Sequence, residues 1–327
     1  MPQISVRVGE SETRTISLSP NETVLSGLLR EGIDVPYGCQ SGACHSCMLK
    51  SVCAKIPAEA QKGLLPVEKD QGYFLSCCCK PDKDMEINLN DSLDRYQTRI
   101  QGLDQVADDI WRLRIDKSIA YHSGQYITLR HSSGLTRSYS IASHPIYDDF
   151  IECHIRVYPD GKFSALVRDE LQVGDQLEIL GPYGSCIYDK QAKNQTLFLV
   201  GLGTGLSPLY GIVRDAYSQG HKGKIVMLLA ASDSSKLYHL EEISVLQKQH
   251  PTLEVHYSVQ SSSENSVAIL PISDVYVKAS QLLPDLRDHR VFLCGSSSFV
   301  QRLRKECFLR GASMSHIRVD EFLRAVD

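Results

Sequence analysis

Four cysteines constrain this chain more than any other feature. Cys39, Cys44 and Cys47 lie in the run Tyr37-Gly-Cys-Gln-Ser-Gly-Ala-Cys-His-Ser-Cys47, and Cys77 follows well downstream. A C-x4-C-x2-C…C spacing is the ligand pattern of a [2Fe–2S] cluster. Such a chain must wrap a tight loop around an inorganic anion and bring a distant segment back to complete it. A site of this kind moves single electrons. The bland alternative is zinc, which four cysteines also suit. Zinc ribbons, however, pair two close C-x2-C units, and this chain has one such pair and two outliers.

A length of 327 residues exceeds a single cluster-binding module and implies two or three domains. With 42% hydrophobic and 23% charged residues the composition is that of an ordinary globular protein. The net charge of −4 and the lack of any lysine- or arginine-rich block give no reason to expect nucleic acid or an anionic membrane as partner. The start, Met1-Pro-Gln-Ile-Ser-Val, lacks the layout of a signal peptide, and no apolar stretch is long enough to span a bilayer. A soluble, cytoplasmic protein, monomeric on its own, is expected. Eleven cysteines do not make a disulfide scaffold here, because the number is odd, the chain is long and no export signal is visible.

In the first ninety residues, Ile4–Val8 and Thr13–Leu18 alternate apolar and polar side chains as half-buried strands do, with a turn at Gly9-Glu10-Ser11. Asn21 is the expected helix N-cap, Val24, Leu25, Leu28 and Leu29 the buried stripe, and Gly32 the stop. The small residues Gly38, Ser41, Gly42 and Ala43 let backbone amides turn toward sulfur, which stabilises a negatively charged cluster. On these residues the region resembles a plant-type ferredoxin domain of β-grasp fold. That resemblance places the fourth ligand in a Leu-x-Cys context, matched by Leu75-Ser76-Cys77. In an extended segment Cys78 would project the opposite way and Cys79 would lie too far along. Cys53, Cys78 and Cys79 are read as structural.

After a polar stretch from Asn88 to Asp94, short alternating strands with turn signals imply an antiparallel barrel. Within it lies Thr136-Arg-Ser-Tyr-Ser-Ile141. Gly124-Gln-Tyr126 precedes it. Gly161-Lys-Phe-Ser164, leading into a short helix over Ala165–Leu171, and Val173-Gly-Asp-Gln-Leu-Glu-Ile-Leu-Gly-Pro-Tyr-Gly184 follow. In this order the elements resemble the ferredoxin–NADP⁺ reductase superfamily. The resemblance implies that Arg137 pairs with a flavin pyrophosphate, that Tyr139 lies against the isoalloxazine ring and that Ser140 reaches flavin N5, with Ser138 between them. A glycine and a serine at a helix start, here Gly161 and Ser164 flanking Lys162 and Phe163, suit the same pyrophosphate.

The last third opens on an apolar run, Thr196–Val200, followed by Gly201-Leu-Gly-Thr-Gly205 and a helix with Ser207 as N-cap and Pro208 in its first turn. Strand, glycine loop and helix form a phosphate cradle. Gly201, Gly203, Thr204 and Gly205 match the superfamily's G-x-G-T-G-x-x-P form. Further strands at Lys224–Ala230, Leu253–Tyr257 and Val291–Gly295, and a helix over Tyr238–Gln249, imply a doubly wound parallel sheet. By resemblance, Cys294 and Gly295 border the nicotinamide, with Cys294 positional, and Phe322 belongs to an acidic-aromatic ending. Asp233 favours NADH over NADPH, because a carboxylate suits a free ribose hydroxyl and repels a 2′-phosphate.

The expected architecture is therefore multidomain, α+β and α/β: a β-grasp ferredoxin domain (1–92), an antiparallel Greek-key flavin barrel (93–188) and a doubly wound nucleotide domain (189–327). The whole chain resembles three-domain oxygenase reductases. That resemblance implies hydride transfer from NADH to FAD, release of electrons one at a time to the cluster, and delivery to a separate acceptor protein docking near the Gly38–Cys47 loop. Ser140 and Cys294 are the residues it places nearest the reaction. An oxygenase component is the expected acceptor, with a deoxysugar-forming dehydratase as the alternative; the distant alternative for the chain itself is a non-enzymatic iron–sulfur or zinc binding module. With Cys77 as fourth ligand, Cys77→Ser is expected to lose the visible absorbance and EPR signal of the cluster, and Cys78→Ser to keep both. The reverse result would move the fourth ligand to Cys78.

Overall fold

The computed structural model describes residues 1–8, 12–52, 55–64, 66–89, 95–261 and 273–323. The expected Gly9–Ser11 turn, Cys53 and the linker core at 90–94 lie outside the described residues.

The N-terminal unit is a mixed five-stranded sheet in the order β2-β1-β5-β3-β4. Its strands are β1 (Gln3–Val8), β2 (Glu12–Ser17), β3 (Met48–Ser51), β4 (Tyr73–Leu75) and β5 (Met85–Asn88). Ile4 and Val6 of β1 are fully buried while their neighbours face outward, so the period-two pattern sets the buried face. Helix α1 (Val24–Arg30) covers that face with Val24, Leu25 and Leu28, and Leu29 sits at the rim of the stripe, 37% exposed. The cap is Thr23, whose Oγ1 accepts from Ser26 N at 3.1 Å, and Asn21 instead takes a left-handed φ of 64° in the preceding turn. Asparagine tolerates that conformation, which moves the helix start two residues on. Gly32 ends the helix as expected: its φ is 69°, and Ile33 N donates to Leu28 O at 2.9 Å. A short helix α2 (Pro66–Asp70) precedes β4.

The middle unit is an antiparallel six-stranded sheet ordered β10-β7-β6-β11-β8-β9. It comprises β6 (Arg95–Ala107), β7 (Ile110–Asp116), β8 (Tyr126–Arg130), β9 (Thr136–Ser140), β10 (Phe150–Arg156) and β11 (Gln176–Tyr183). An antiparallel bridge between Ile141 and Cys153 joins the two edge strands and closes the barrel. Its core holds Leu113, Ile127, Leu129, Ile151 and Ile179, all without solvent exposure. Helix α3 begins at Lys162 and runs to Asp169, earlier than expected, with Gly161 at its cap.

The C-terminal unit is a five-stranded parallel sheet ordered β14-β13-β12-β15-β16. Its strands are β12 (Leu197–Leu202), β13 (Ile225–Asp233), β14 (Leu253–Ser261), β15 (Arg290–Ser296) and β16 (Ile317–Phe322). Leu197 and Leu199 of β12 pack toward α4 (Leu206–Ser218) and α5 (Leu240–Gln249). Phe198 and Val200 pack the other way, toward α6 (Val275–Leu282) and α7 (Ser297–Leu309). A strand apolar on both faces is what a doubly wound sheet needs. The order reverses between β12 and β15, so a crevice opens at their carboxyl ends. Helix α5 starts at Leu240, two residues later than expected, because Tyr238 is drawn toward the barrel and His239 adopts a left-handed φ of 60°.

Candidate functional site

One edge of the barrel organises the site. Alternate residues of β8 point to one side, and on its outer face these are Tyr126, Thr128 and Arg130. Each reaches the N-terminal unit: Tyr126 OH donates to Ala43 O at 3.4 Å, Thr128 Oγ1 lies 3.0 Å from Ser46 Oγ, and Arg130 pairs with Asp34. Their neighbours Ile127 and Leu129 fill the barrel core. Tyr183, at the end of β11, adds an edge-on contact to His45 at 6.3 Å between ring centroids. The cysteine loop is therefore seated on the barrel through Ala43, His45 and Ser46, while Tyr37, Gln40 and Ser41 remain exposed. The loop therefore has two sides.

Within that loop the sulfurs group in pairs. Cys39 N lies 3.4 Å from Cys44 Sγ, and Ser41 N and Cys44 N donate to Cys39 Sγ at 3.4 and 3.3 Å. Cys47 and Cys77 form the second pair. Hydrogen bonds from Cys44 and from Ser41 hold the Cys39 thiol down to about 4, against the opposing effect of burial. The Cys77 hydrogen bond likewise lowers Cys47. Residues 76–78 form a 3₁₀ turn rather than the extended segment expected, so successive side chains fan out instead of alternating. Cys77 turns to Cys47, and Cys79 is buried beside Met85, its Sγ 3.9 Å from the Met85 sulfur. Cys78 Sγ lies 3.6 Å from Cys77 Sγ and close to Gly42, where an added Cβ would come within 2.8 Å of it. Two thiol pairs surrounded by inward-facing amides fit a [2Fe–2S] cluster.

The flavin motif lies on β9, directly beside β8. Tyr139 packs into the barrel core with its ring 5.7 Å from that of Phe163. The Arg137 guanidinium is on the same side of the strand and contacts the carbonyl of Leu323. Ser138 and Ser140 lie on the outer side with Thr128 and Tyr126. The helix start at Gly161–Ser164 is tight, since a Cβ on Gly161 would lie 2.3 Å from Ser164 Oγ. Lys162 is exposed, and Phe163 and Ser164 are buried. A guanidinium fork and a bare helix start are groups that fit a pyrophosphate.

The nucleotide unit meets the same strand. Ser207, expected as an N-cap, lies inside α4, where its hydroxyl donates to Ser140 O at 2.8 Å. Gly203–Gly205 form a 3₁₀ turn leading into α4, with Thr204 half-buried, and a Cβ on Gly205 would fall 2.2 Å from Cys294 O. Only glycine allows that approach, and Gly203 takes a φ of 57° that also favours it. Cys294 has no solvent exposure, and burial and a contact with Cys186 raise its thiol well above the ordinary range, which disfavours the thiolate form. Gly295 follows with a φ of 148°. Asp233 closes β13, and its carboxylate accepts from Ser235 N at 2.9 Å and Ser261 Oγ at 2.7 Å.

Sequence reasoning missed strand β16, which adds Asp320 to the site. Ser140 Oγ donates to Asp320 Oδ2 at 2.6 Å, and burial raises the Asp320 carboxyl to about 6. Phe322 ends that strand, half-buried and in register with Ser296. The signal for β16 was weak because Ile317-Arg-Val-Asp-Glu-Phe322 is an edge strand in which the adjacent charges Asp320 and Glu321 break the apolar–polar alternation. A second unforeseen feature joins barrel and nucleotide unit. Glu152, His154 and His239 are buried with potential ligand atoms within 4.8 Å of one another, the one such group among the described residues. Arg114 Nε already donates to Glu152 at 2.8 Å, and His154 Nδ1 lies 2.9 Å from Tyr238 OH. Burial opposes ionisation of Glu152, but His154 and Arg114 outweigh it and hold the carboxyl at about 2. The Arg114 guanidinium balances the Glu152 carboxylate, and the group ties barrel to nucleotide unit as an inter-unit latch.

Comparison with known proteins agrees with the geometry. Residues 8–82 match the family described as a 2Fe-2S iron-sulfur cluster binding domain, 104–188 the oxidoreductase FAD-binding domain and 199–305 the oxidoreductase NAD-binding domain. The chain is 30% identical over 325 residues to the ferredoxin–NAD(P)⁺ reductase component of the naphthalene 1,2-dioxygenase system of Pseudomonas putida, covering 96% of this chain and 97% of that one. It is 26% identical over 314 residues to the CDP-6-deoxy-L-threo-D-glycero-4-hexulose-3-dehydrase reductase of Yersinia pseudotuberculosis, covering 92% and 93% of the two chains. A cytochrome P450 reductase from Amycolatopsis shares the fold, with a TM-score of 0.70, 24% identity and full coverage of both chains. Likeness along its whole length to an oxygenase reductase places this chain in the family of flavin and iron–sulfur oxidoreductases, of the ferredoxin–NADP⁺ reductase superfamily, that pass electrons from a nicotinamide nucleotide through FAD to a [2Fe–2S] cluster.

Proposed function

We propose that this chain is the NADH-oxidising reductase component of a multicomponent oxygenase, acting as a cytoplasmic monomer with units bounded at 1–92, 93–188 and 189–327. The observation that carries the reading is the two-sided cysteine loop: Ser46 is buried against the flavin strand while Tyr37, Gln40 and Ser41 face outward. Such a loop can take an electron on one side and give it up on the other. The acceptor protein docks on the outer side. No helix among the described residues is long and apolar enough to cross a membrane.

Cys39, Cys44, Cys47 and Cys77 hold the cluster. Arg137, Ser138, Tyr139 and Ser140, with Gly161, Lys162, Phe163 and Ser164, hold FAD. Gly201, Gly203, Thr204, Gly205 and Asp233 bind the nucleotide, with Cys294, Gly295 and Phe322 shaping its nicotinamide end. When bound, the flavin takes the hydride pair and gives up single electrons, which a cluster requires. The chain contributes positioning: α4 is tied to β9 through Ser207 and Ser140, so the nucleotide cradle and the flavin strand move as one. Asp320 accepts the Ser140 hydroxyl proton and fixes that side chain's direction.

The acceptor assignment is tested with purified protein and an oxygenase component from the native host. Introduction of negative charge on the outer side, Gln40→Glu with Ser41→Asp, is expected to slow NADH-driven reduction of the oxygenase by about tenfold or more. Reduction of a small uncharged acceptor such as a benzoquinone stays unchanged, since it needs no dock and feels no repulsion from the added charge. Equal slowing of both would place the dock elsewhere. Similarity to the Yersinia reductase favours a second acceptor, a deoxysugar-forming dehydratase. NADH oxidation that depends on such a dehydratase and not on an oxygenase would replace the first reading with it.

Two residues give further expected outcomes. Asp233→Ala reduces the preference for NADH over NADPH, measured as the ratio of kcat/KM values, and an unchanged ratio removes Asp233 from the ribose site. Asp320 titrates near 6 rather than at 3.8, so the folded protein holds this proton more tightly than the unfolded chain. Its contribution to stability is therefore complete below pH 3.8 and is lost as pH rises through about 6. Asp320→Asn should flatten the step near pH 6 in the rate of flavin reduction by NADH. A step that survives the substitution belongs to another group.

A further inference from the structure

Ser46, Thr128 and Ser138 come from three separate stretches, the cysteine loop, β8 and β9. Their hydroxyls nonetheless form one cluster. Ser46 Oγ lies 3.0 Å from Thr128 Oγ1, Thr128 Oγ1 lies 2.8 Å from Ser138 Oγ, and Ser46 Oγ lies 3.4 Å from Ser138 Oγ. Ser46 and Thr128 have no solvent exposure, and Ser138 is half-buried. Ser46 Oγ also donates to Cys44 Sγ at 3.2 Å. Thr128 and Ser138 stand directly opposite each other in the β8–β9 register, so the pair is fixed by the barrel before the loop arrives.

Proton counting gives this chain a direction. Each hydroxyl has one proton to donate and can accept as well. A thiolate that ligates iron only accepts, so the Ser46 proton goes to the Cys44 sulfur. The Ser46 oxygen then accepts, and Thr128 is its nearer donor. With the Thr128 proton so directed, the 2.8 Å contact requires Ser138 to donate to Thr128. The order is Ser138 to Thr128 to Ser46 to Cys44. Bonds aligned head to tail away from water polarise one another, and no solvent molecule replaces a lost member cheaply.

We propose that Thr128 is a positioning residue for electron transfer: a strand of the flavin barrel orients the Ser46 hydroxyl on a cluster ligand and thereby sets the potential of the iron–sulfur centre in a different unit. Hydrogen bonds to ligand sulfur offset the negative charge that reduction adds, which favours the reduced cluster. Loss of the chain makes the cluster potential more negative and weakens the drive for an electron to leave the flavin. The role of the chain in catalysis rests on the reading that electrons run from flavin to cluster. Its effect on potential does not.

The test uses the full-length holoprotein with iron and flavin contents matched to wild type. Thr128→Val keeps the shape and removes the hydroxyl, and Thr128→Ser keeps the hydroxyl and removes the methyl group. Potentials are read by EPR during mediated titration with dithionite, without NADH. Thr128→Val is expected to shift the cluster to a more negative potential while leaving the flavin potential and the rate of flavin reduction by NADH unchanged. Thr128→Ser returns the cluster to the wild-type potential. Ser46→Ala, which removes the last bond itself, shifts it at least as far and reports on the same chain should the Thr128→Val protein fail to hold iron. A wild-type potential in Thr128→Val or in Ser46→Ala overturns the proposal, as does a Thr128→Ser shift equal to that of Thr128→Val. A wild-type cluster that stays oxidised under excess NADH would overturn the electron path and leave the dependence on Thr128 standing.

Discussion

The arrangement of this protein depends on the two-faced character of strand β8. One face, Ile127 and Leu129, is sealed into the barrel core, which locks the strand and its register. The other face therefore presents Tyr126, Thr128 and Arg130 in fixed positions, and all three contact the iron–sulfur unit. None of these contacts is strong. Neutral hydrogen bonds contribute about 1 kcal/mol each, and the Arg130–Asp34 pair, with Asp34 largely exposed, about 1 kcal/mol or less. Their value is geometric. A one-residue slip of β8 would turn the docking face inward and separate the cluster loop from the flavin strand.

The same hairpin also receives the nucleotide unit. Ser140 on β9 is held through its carbonyl by Ser207 and through its hydroxyl by Asp320, so α4, β16 and the barrel converge on one residue. The buried Glu152–His154–His239 group, balanced by Arg114, adds a second tie between barrel and nucleotide sheet. Both ends of the electron path are thus registered against neighbouring strands of one barrel edge, which brings a two-electron donor site and a one-electron relay together without a mobile intermediary.

Much of this was legible in the residues. Cysteine spacing, the Arg137–Ser140 motif and the Gly201–Gly205 turn depend on local chemistry, and each lies on the element expected. Local reasoning failed where tertiary contacts chose among local options. Asn21 and Thr23 are both competent caps, and the turn before α1 decided between them. Ser207 looked like a cap because nothing in the sequence reveals that Ser140 O lies above it. Cys77 and Cys78 lie in a 3₁₀ turn, so the alternation of an extended strand does not separate their side chains. The role of Thr128 was invisible, since a threonine in a strand carries no signal that its hydroxyl meets a loop from another unit.

Seated on the flavin barrel, the cluster loop takes its electrons from the flavin of the same chain. The most direct measurement mixes the oxidised protein anaerobically with excess NADH and follows flavin bleaching and cluster reduction over a dilution series spanning about tenfold in protein. The cluster-reduction phase is expected to follow flavin bleaching with a rate constant independent of protein concentration. A rate that rises in proportion to protein concentration would mean that electrons pass between molecules, and would contradict it.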